Sequence, residues 1–331
     1  MVSIPVRRMN ELKKNFKGLN VAVIGDMMLD CYFQGDVKRI SPEAPVPVVE
    51  VGNEFFRFGG AANVALNILK LSGNPLPVGV IGYDNDGSIF TSLINESNIN
   101  AEGIFLDEER PTTSKTRVIA NNQHVVRIDK ESKEYISKNV QNKIFNYLEA
   151  HSKNLDAIIL EDYNKGVLTP SLIEKIIQLA LSKDIIVTVD PKFNNFFSYK
   201  NVTVFKPNRN EAEDVLGIKI RTDEDISNAG NKILEKLNAE YVLLTLGEGG
   251  IVVFEKGKPA KRMPTKARKV ADVSGAGDTV ISTLTMAMAA KADIIEASYL
   301  ANFAGGIVCG EIGIVPIELD KLFDSVKEDH Q

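Results

Sequence analysis

Short apolar runs that favour β-structure recur along this chain, with stretches of helical pattern between them. Such alternation is typical of βαβ units and predicts an α/β fold with a mostly parallel sheet. The clearest runs are residues 21–25, 157–161, 185–190, 202–205 and 241–246. Their polar or glycine endings are Asp26, Asp162, Asp190, Asn208 and Gly247. Because ligands of such sheets bind beyond the carboxyl ends of the strands, we expect these endings to share one crevice.

Two segments do not fit this alternation. Residues 32–51 contain three prolines and end in a β-like run, residues 48–51. Residues 116–128 alternate in polarity and are interrupted by Asn121-Asn122, a pair typical of hairpin turns. Together they predict a small sheet that projects from the main domain. A pair of separate surface hairpins is the alternative.

Composition excludes several classes of protein. A hydrophobic content of 44% in 331 residues is enough for a large core, and a net charge of −5 argues against a general nucleic-acid binder. The sequence has no apolar run of about 18 residues, the length that a membrane helix needs. The two cysteines, Cys31 and Cys309, do not make a disulfide framework. We therefore expect a cytoplasmic chain without nucleic-acid or membrane partners.

Residues 271–279, Ala-Asp-Val-Ser-Gly-Ala-Gly-Asp-Thr, form a glycine-rich turn before a helix-forming run at residues 280–290. The first N–H groups of a helix lack partners and face the positive end of its dipole. Gly275, Ala276 and Gly277 could thus cradle a phosphoryl group, and Asp278 could take a proton from an attacking hydroxyl. This combination suits phosphoryl transfer to an alcohol. A plain glycine-rich helix start, with Asp278 near the N-cap, is the alternative.

This segment resembles the C-terminal signature of the ribokinase-like (PfkB) carbohydrate kinases, whose Gly-Ala-Gly-Asp ends in the catalytic base. Residues 59–65, Gly-Gly-Ala-Ala-Asn-Val-Ala, match the N-terminal signature of the same family, in the same order along the chain. The resemblance implies one three-layer α/β/α kinase domain over residues 1–331, with lid segments at about residues 32–51 and 112–129. It also implies ATP and Mg²⁺ as cofactors and a homodimer formed through the lid.

Three further segments, residues 39–48, 112–117 and 162–166, are similar to the D-glycero-β-D-manno-heptose 7-phosphate kinases within that family. That branch phosphorylates the C1 hydroxyl of its sugar phosphate to give the 1,7-bisphosphate, an ADP-heptose precursor. The alternatives are a kinase of another sugar, such as ribose, fructose or a hexose phosphate, and a non-catalytic binding relative. A dinucleotide-dependent oxidoreductase is disfavoured, because no Gly-x-Gly-x-x-Gly follows the first run.

The resemblance also implies which residues bind the sugar phosphate. They are Asp30, Arg39, Gly59, Gly60, Asn63, Arg117, Arg127 and Lys165. A carboxylate such as Asp30 can accept hydrogen bonds from two sugar hydroxyls, and a guanidinium can bind a phosphate through two parallel hydrogen bonds. Taken singly, each of the four cations would be expected to be a solvated surface charge.

The resemblance further implies which residues bind the nucleotide. They are Lys206, Asn208, Glu211, Thr245, Gly247 and Asn302. Asn208 and Glu211 match the family's Asn-x-x-Glu element, which organises Mg²⁺ through water. The same spacing is also that of a helix capping box, and both interpretations can hold at once. Asp272 and Ser274 match positions that hold a monovalent cation, such as K⁺, in some members.

Overall fold

Strands and helices alternate along most of the chain. A computed structural model describes residues 4–121, 123–266, 272–311 and 313–329. The strands in this part are β1 (Asn20–Gly25), β2 (Met27–Ile40), β3 (Pro47–Gly60), β4 (Asn74–Gly82), β5 (Ile104–Asp107), β6 (Thr113–Ala120), β7 (Gln123–Lys130), β8 (Ala157–Glu161), β9 (Ile186–Asp190), β10 (Val204–Phe205), β11 (Tyr241–Thr245), β12 (Ile251–Glu255) and β13 (Lys261–Met263). The helices are α1 (Val6–Asn15), α2 (Ala61–Lys70), α3 (Asn85–Glu96), α4 (Lys138–His151), α5 (Pro170–Ser182), α6 (Arg209–Leu216), α7 (Asp223–Leu237), α8 (Ala276–Ala289), α9 (Ile294–Val308) and α10 (Leu319–Glu328).

The large sheet has the strand order β13-β12-β11-β10-β9-β8-β1-β4-β5. Neighbouring strands from β11 to β5 pair in parallel, and among the described strands only the β11–β12 and β12–β13 pairs at one edge are antiparallel. The five apolar runs of the sequence form β1, β8, β9, β10 and β11, with ends that differ by no more than two residues. The prediction of a mostly parallel sheet is therefore confirmed.

Helices cover both faces of this sheet. Along β1, Val21 and Val23 pack into one hydrophobic core while Ala22 and Ile24 pack into the other, because successive side chains of a strand point to opposite faces. The first core includes residues of α1, α2, α3, α8, α9 and α10, and the second includes residues of α4, α5, α6 and α7. This is the predicted three-layer α/β/α architecture. None of the described helices is long and apolar enough to cross a membrane.

A second sheet, with the strand order β3-β2-β6-β7, projects from the carboxyl-end edge of the first. Only Asp26 separates β1 from β2, so the chain passes from one sheet to the other without a loop. The strand β3 then returns through Gly59 and Gly60 directly into α2. Both predicted lid segments lie in this sheet, although β2 and β3 extend further toward the main domain than residues 32–51. In the β6–β7 turn Asn121 has a φ of 51°, and Asn122 lies outside the described residues.

Candidate active site

The predicted base, Asp278, lies in the first turn of α8 and is only 4% exposed. Its Oδ2 accepts a hydrogen bond from Asn63 Nδ2 at 2.6 Å, and its Oδ1 accepts one from the Tyr163 hydroxyl at 2.9 Å. Burial raises the pKa of Asp278 to about 6, with a further contribution from Asp190, while these two hydrogen bonds oppose the shift. A carboxylate with this pKa is ionised near pH 7 and can still accept a proton.

The start of α8 is shaped to receive an anion. Gly275 caps the helix with a φ of 76°, a left-handed conformation that costs a glycine little. A Cβ built on Gly277 would lie 3.6 Å from Asp190 Oδ2 and 3.8 Å from Lys206 Nζ. The N–H groups of the first helical turn therefore lie beside the buried ammonium group of Lys206. This combination favours a phosphoryl group.

Three carboxylates meet where β8, β9 and α8 converge. Single oxygens of Glu161, Asp190 and Asp278 all lie within 4.8 Å of one another, and the three residues are buried. Within the described part of the chain, neither carboxylate oxygen of Glu161 has a hydrogen-bond partner. Burial raises the pKa of Glu161 well above its usual range, and Asp190 and Asp278 add to the shift. Glu161 therefore ionises less readily than an ordinary glutamate, because its charge would be buried beside Asp190 and Asp278.

Two lysines supply positive charge next to these carboxylates. Lys206 is buried and its Nζ lies 2.7 Å from Asp190 Oδ2, while Lys192 Nζ lies 2.5 Å from Glu211 Oε1 and 3.7 Å from Asp190 Oδ1. Burial lowers the pKa of Lys206, but Asp190 and Glu211 outweigh it, and the net shift is upward. Both ammonium groups therefore remain charged at physiological pH. They can offset the negative charge of a transferring phosphoryl group.

Asn208 and Glu211 form the capping box at the start of α6. Asn208 Oδ1 accepts from the Glu211 backbone N–H at 2.9 Å, and Glu211 Oε2 accepts from the Asn208 N–H at 2.8 Å. Glu211 Oε1 is engaged by Lys192. Because both oxygens of Glu211 already accept hydrogen bonds, the pair fits a Mg²⁺ ion held through its water shell rather than by direct contact.

A cavity of about 480 Å³ adjoins the start of α8. The predicted nucleotide residues Thr245, Gly247 and Asn302 line it together with Ala276 and Gly277. The structure thus brings a nucleotide-sized space to the predicted phosphoryl cradle. The Asn302 amide donates to the Pro264 carbonyl at 2.7 Å, so this side chain also fixes one wall of the cavity.

On the sugar side, Asp30 lies within β2 and is buried. Its Oδ1 accepts from Arg117 Nη1 on the neighbouring strand β6 at 2.5 Å. The Arg117 guanidinium also lies 5.2 Å from the ring centre of Tyr32. A Cβ at Gly59 would lie 2.8 Å from Asp30 Oδ2, so a side chain at this position would crowd the carboxylate. Burial raises the pKa of Asp30, and Arg117 opposes the shift.

The other predicted cations occupy different surroundings. Lys165 is largely buried and its Nζ lies 2.7 Å from Glu131 Oε2. Arg127 lies on the exposed strand β7 and pairs with Asp129. Arg39 is exposed near the outer end of β2, roughly 30 Å from Asp30 if each strand residue spans about 3.3 Å. Within one chain, Arg127 lies opposite Arg117 on the neighbouring strand, and both charges act on Asp30, whereas Arg39 lies far along β2.

The proposed monovalent-cation residues lie just before α8. Asp272 Oδ1 accepts from the Ser274 N–H at 2.9 Å, and Oδ2 accepts from the Gly313 N–H at 3.2 Å. The carboxylate therefore joins the turn before α8 to the segment after α9. Its oxygens are suitable ligands for a hard cation.

Sequence reasoning missed the roles of Glu161 and Tyr163. Glu161 is the last residue of an apolar run, and Tyr163 lies in residues 162–166, which were noted only for their resemblance to one family branch. The position of both residues at the carboxyl end of a predicted parallel strand was the available signal.

Comparison of the sequence with known protein families points to a kinase, as does the geometry of the site. The sequence profile of the pfkB family carbohydrate kinases matches residues 19–319. The bifunctional protein HldE of Geobacter sulfurreducens is 41% identical over 312 residues, which cover 94% of this chain and 64% of that protein. The chain thus spans less than two thirds of the length of this relative.

Solved structures share the fold at low sequence identity. Arabidopsis thaliana ribokinase, complexed with ribose and ATP, has a TM-score of 0.73 at 19% identity, covering 94% of this chain and 99% of that one. Escherichia coli phosphofructokinase-2, in complex with potassium, has a TM-score of 0.76 at 17% identity, covering 95% and 100%. The fold is thus ribokinase-like, and with the match over residues 19–319 the chain belongs to the pfkB family of carbohydrate kinases.

Proposed function

We propose that this protein transfers the γ-phosphoryl group of ATP to the C1 hydroxyl of D-glycero-β-D-manno-heptose 7-phosphate. The observation that carries the proposal is the position of Asp278, buried between the helix-start cradle and Asn63. The choice of heptose is supported by residues 39–48, 112–117 and 162–166, which resemble the heptose branch of the family. In the fold, residues 112–117 contribute Arg117, the partner of Asp30.

In this reaction Asp278 takes the proton of the C1 hydroxyl as the sugar oxygen attacks the γ-phosphorus and the bond to ADP breaks. The first N–H groups of α8 and the ammonium of Lys206 stabilise the charge that develops on the transferring group. Asp30 and Asn63 orient the sugar, so that positioning and electrostatics account for most of the acceleration.

The nucleotide requires Mg²⁺ in this proposal, with Asn208 and Glu211 arranging its water shell. When bound, the ion neutralises charge on the nucleotide phosphates. A K⁺ ion near Asp272 and Ser274 is part of the same proposal, and the potassium complex of Escherichia coli phosphofructokinase-2 supports it.

We also propose a homodimer formed through the second sheet. Val126 and Ile128 are 48% and 56% exposed and lie on one face of β7, because alternate residues of a strand share a face. Neighbouring exposed apolar side chains favour association. A cytoplasmic location is proposed as well, since Cys31 and Cys309 are free thiols.

Replacing Asp278 by asparagine tests the base. Because general-base catalysis is typically worth about 10²–10⁴-fold, turnover by Asp278→Asn should fall by at least 10²-fold, while ATP binding persists. In the wild type, kcat/KM should decline as the pH falls below about 6, because protonated Asp278 cannot accept a proton. Initial rates of ADP release and calorimetric ATP titration measure both effects. Near-normal turnover in the variant would reject Asp278 as the base.

Replacing Glu211 by glutamine tests the metal role. Glutamine can preserve the capping box, but it removes the charge, so Glu211→Gln should need a higher Mg²⁺ concentration for half-maximal rate. The KM for the sugar should change little. Asp225→Asn, which alters the equivalent capping box of α7, is the matched control. An unchanged Mg²⁺ response combined with a changed sugar KM would contradict this role.

The substrate phosphate can be tested with paired sugars. A hydrogen bond to a charged group contributes about 1.5–3 kcal/mol, so heptose 7-phosphate should exceed free heptose in kcat/KM by roughly 10²-fold. Lys165→Ala should reduce this preference by about tenfold. Lys133→Ala removes an exposed lysine near the same Glu131 and should leave the preference intact.

Arg117 is less suitable for this comparison, because its removal also leaves the buried Asp30 carboxylate without its partner. If ribose or fructose 6-phosphate is the better substrate, the heptose assignment is wrong although the kinase assignment stands. If no sugar in the panel releases ADP, a non-catalytic binding protein becomes the better interpretation.

The dimer can be tested by charge insertion. Val126→Glu should convert a dimer into a monomer, because an unpaired carboxylate in an apolar interface is costly to desolvate. Light scattering after size-exclusion chromatography measures the mass. Val6→Glu, at an exposed position of α1 in the main domain, is the control and should remain dimeric. A monomeric wild type would refute the dimer.

A further inference from the structure

Both oxygens of Asp278 are engaged by the protein's own donors. Asn63 Nδ2 binds Oδ2, and the Tyr163 hydroxyl binds Oδ1. The contact with Tyr163 joins residues that are 115 positions apart, so it depends on the fold rather than on local sequence. A phenol that donates to Oδ1 competes with any other hydroxyl that approaches the same atom.

The backbone that carries Tyr163 is held firmly. The buried carboxylate of Asp26 accepts three backbone N–H groups, from Tyr163 at 2.7 Å, Lys165 at 3.0 Å and Val167 at 3.2 Å. Asp162 accepts from the Asn164 N–H at 2.8 Å. The phenol therefore reaches Asp278 from a fixed main chain, and only its side chain needs to move to release Oδ1.

The surroundings of the Tyr163 phenol keep its hydroxyl protonated, so that it acts as a hydrogen-bond donor. Burial raises the pKa of Tyr163 well above its usual range, and the charge of Asp278 adds to the shift. Lys192 Nζ lies 5.0 Å from the centre of the tyrosine ring, which limits the space above the ring. Tyr163 therefore keeps its proton over the physiological pH range and donates it in the hydrogen bond to Oδ1.

We propose that Tyr163 is a positioning residue that reserves Oδ1 of Asp278 for the sugar. Its hydroxyl donates a hydrogen bond to Oδ1 and thereby keeps water from binding that atom. It is displaced only by an acceptor hydroxyl that Asp30 and Asn63 hold in place. This inference depends on the proposed role of Asp278 as the base. It assigns to Tyr163 the discrimination between a sugar and water as phosphoryl acceptors.

The side reaction that Tyr163 suppresses is ATP hydrolysis. In that reaction the oxygen of water forms a bond to the γ-phosphorus, the bond from phosphorus to the departing ADP oxygen breaks, and the proton of water passes to Asp278. The products are ADP and inorganic phosphate. Hydrolysis and sugar phosphorylation use the same base and the same phosphoryl group. The two reactions differ in which hydroxyl reaches Oδ1, that of water or that of the sugar.

The test compares the two reactions in Tyr163→Phe. ATP hydrolysis without sugar and ADP release with saturating heptose 7-phosphate are measured on the full chain. Because a hydrogen bond to a charged group is worth about one to two powers of ten in rate, the hydrolysis-to-kinase ratio should rise at least about tenfold. Tyr199→Phe is the matched control. It removes a buried hydroxyl that donates to Asp162 at 2.6 Å but does not touch Asp278.

A second readout is the pH dependence of kcat/KM. The hydrogen bond from Tyr163 lowers the pKa of Asp278. In Tyr163→Phe, the acidic limb, which is the decline of kcat/KM at low pH, should therefore move to higher pH. Tyr199→Phe should leave this limb in place. The groups that face Asp278 from the surrounding elements are otherwise unchanged in both variants. They are Asn63, Glu161, Asp190 and Lys206.

The proposal is wrong if hydrolysis and sugar phosphorylation change in parallel in Tyr163→Phe and the acidic limb does not move. Thermal unfolding checks that the variant is folded, and Tyr163→Met serves as a second variant without the hydroxyl. Failure of the proposed function looks different. In that case the wild type releases no ADP with any sugar, or Asp278→Asn retains its turnover.

Discussion

The burial of like charges at the carboxyl ends of β8 and β9 is the constraint on which the site depends. Three carboxylates within 4.8 Å of one another can stay buried only if protons, lysines and hydrogen-bond donors offset their charge. Lys206 offsets Asp190, the raised pKa of Glu161 opposes its ionisation, and Asn63 and Tyr163 donate hydrogen bonds to Asp278. The same arrangement gives Asp278 a pKa of about 6, which suits a base near neutral pH.

The main sheet was predictable because its strands are buried on both faces and therefore read as continuous apolar runs. Residues 157–161 show this well, since every residue of β8 is buried. The second sheet was predicted less completely. Its strand β2 starts at Met27, with only Asp26 between it and β1, whereas the sequence predicted the projecting segment from about residue 32. Nothing in the local pattern marks the point where the chain leaves one sheet for the other.

Within the site, the cradle and Asp278 were predictable because glycines and a carboxylate at a helix start have a direct chemical meaning. The role of Tyr163 was not predictable, because it depends on a hydrogen bond to Asp278 that forms only in the assembled fold. Arg39 illustrates the opposite case. A motif drew attention to it, yet in the fold it lies on the exposed outer part of β2. Motif membership indicates a branch of a family, and a binding role for Arg39 stays a prediction.

Asp26 joins the two sheets and the loop that carries Tyr163. Its backbone N–H donates to the Glu161 carbonyl, its carbonyl accepts from the Ala61 N–H, and its carboxylate holds residues 163–167. The inner halves of β2 and β3 are thereby tied to the reacting centre, while their outer halves are exposed. Insertions, deletions or new side chains in those exposed outer halves can therefore arise without disturbing the residues held around Asp278.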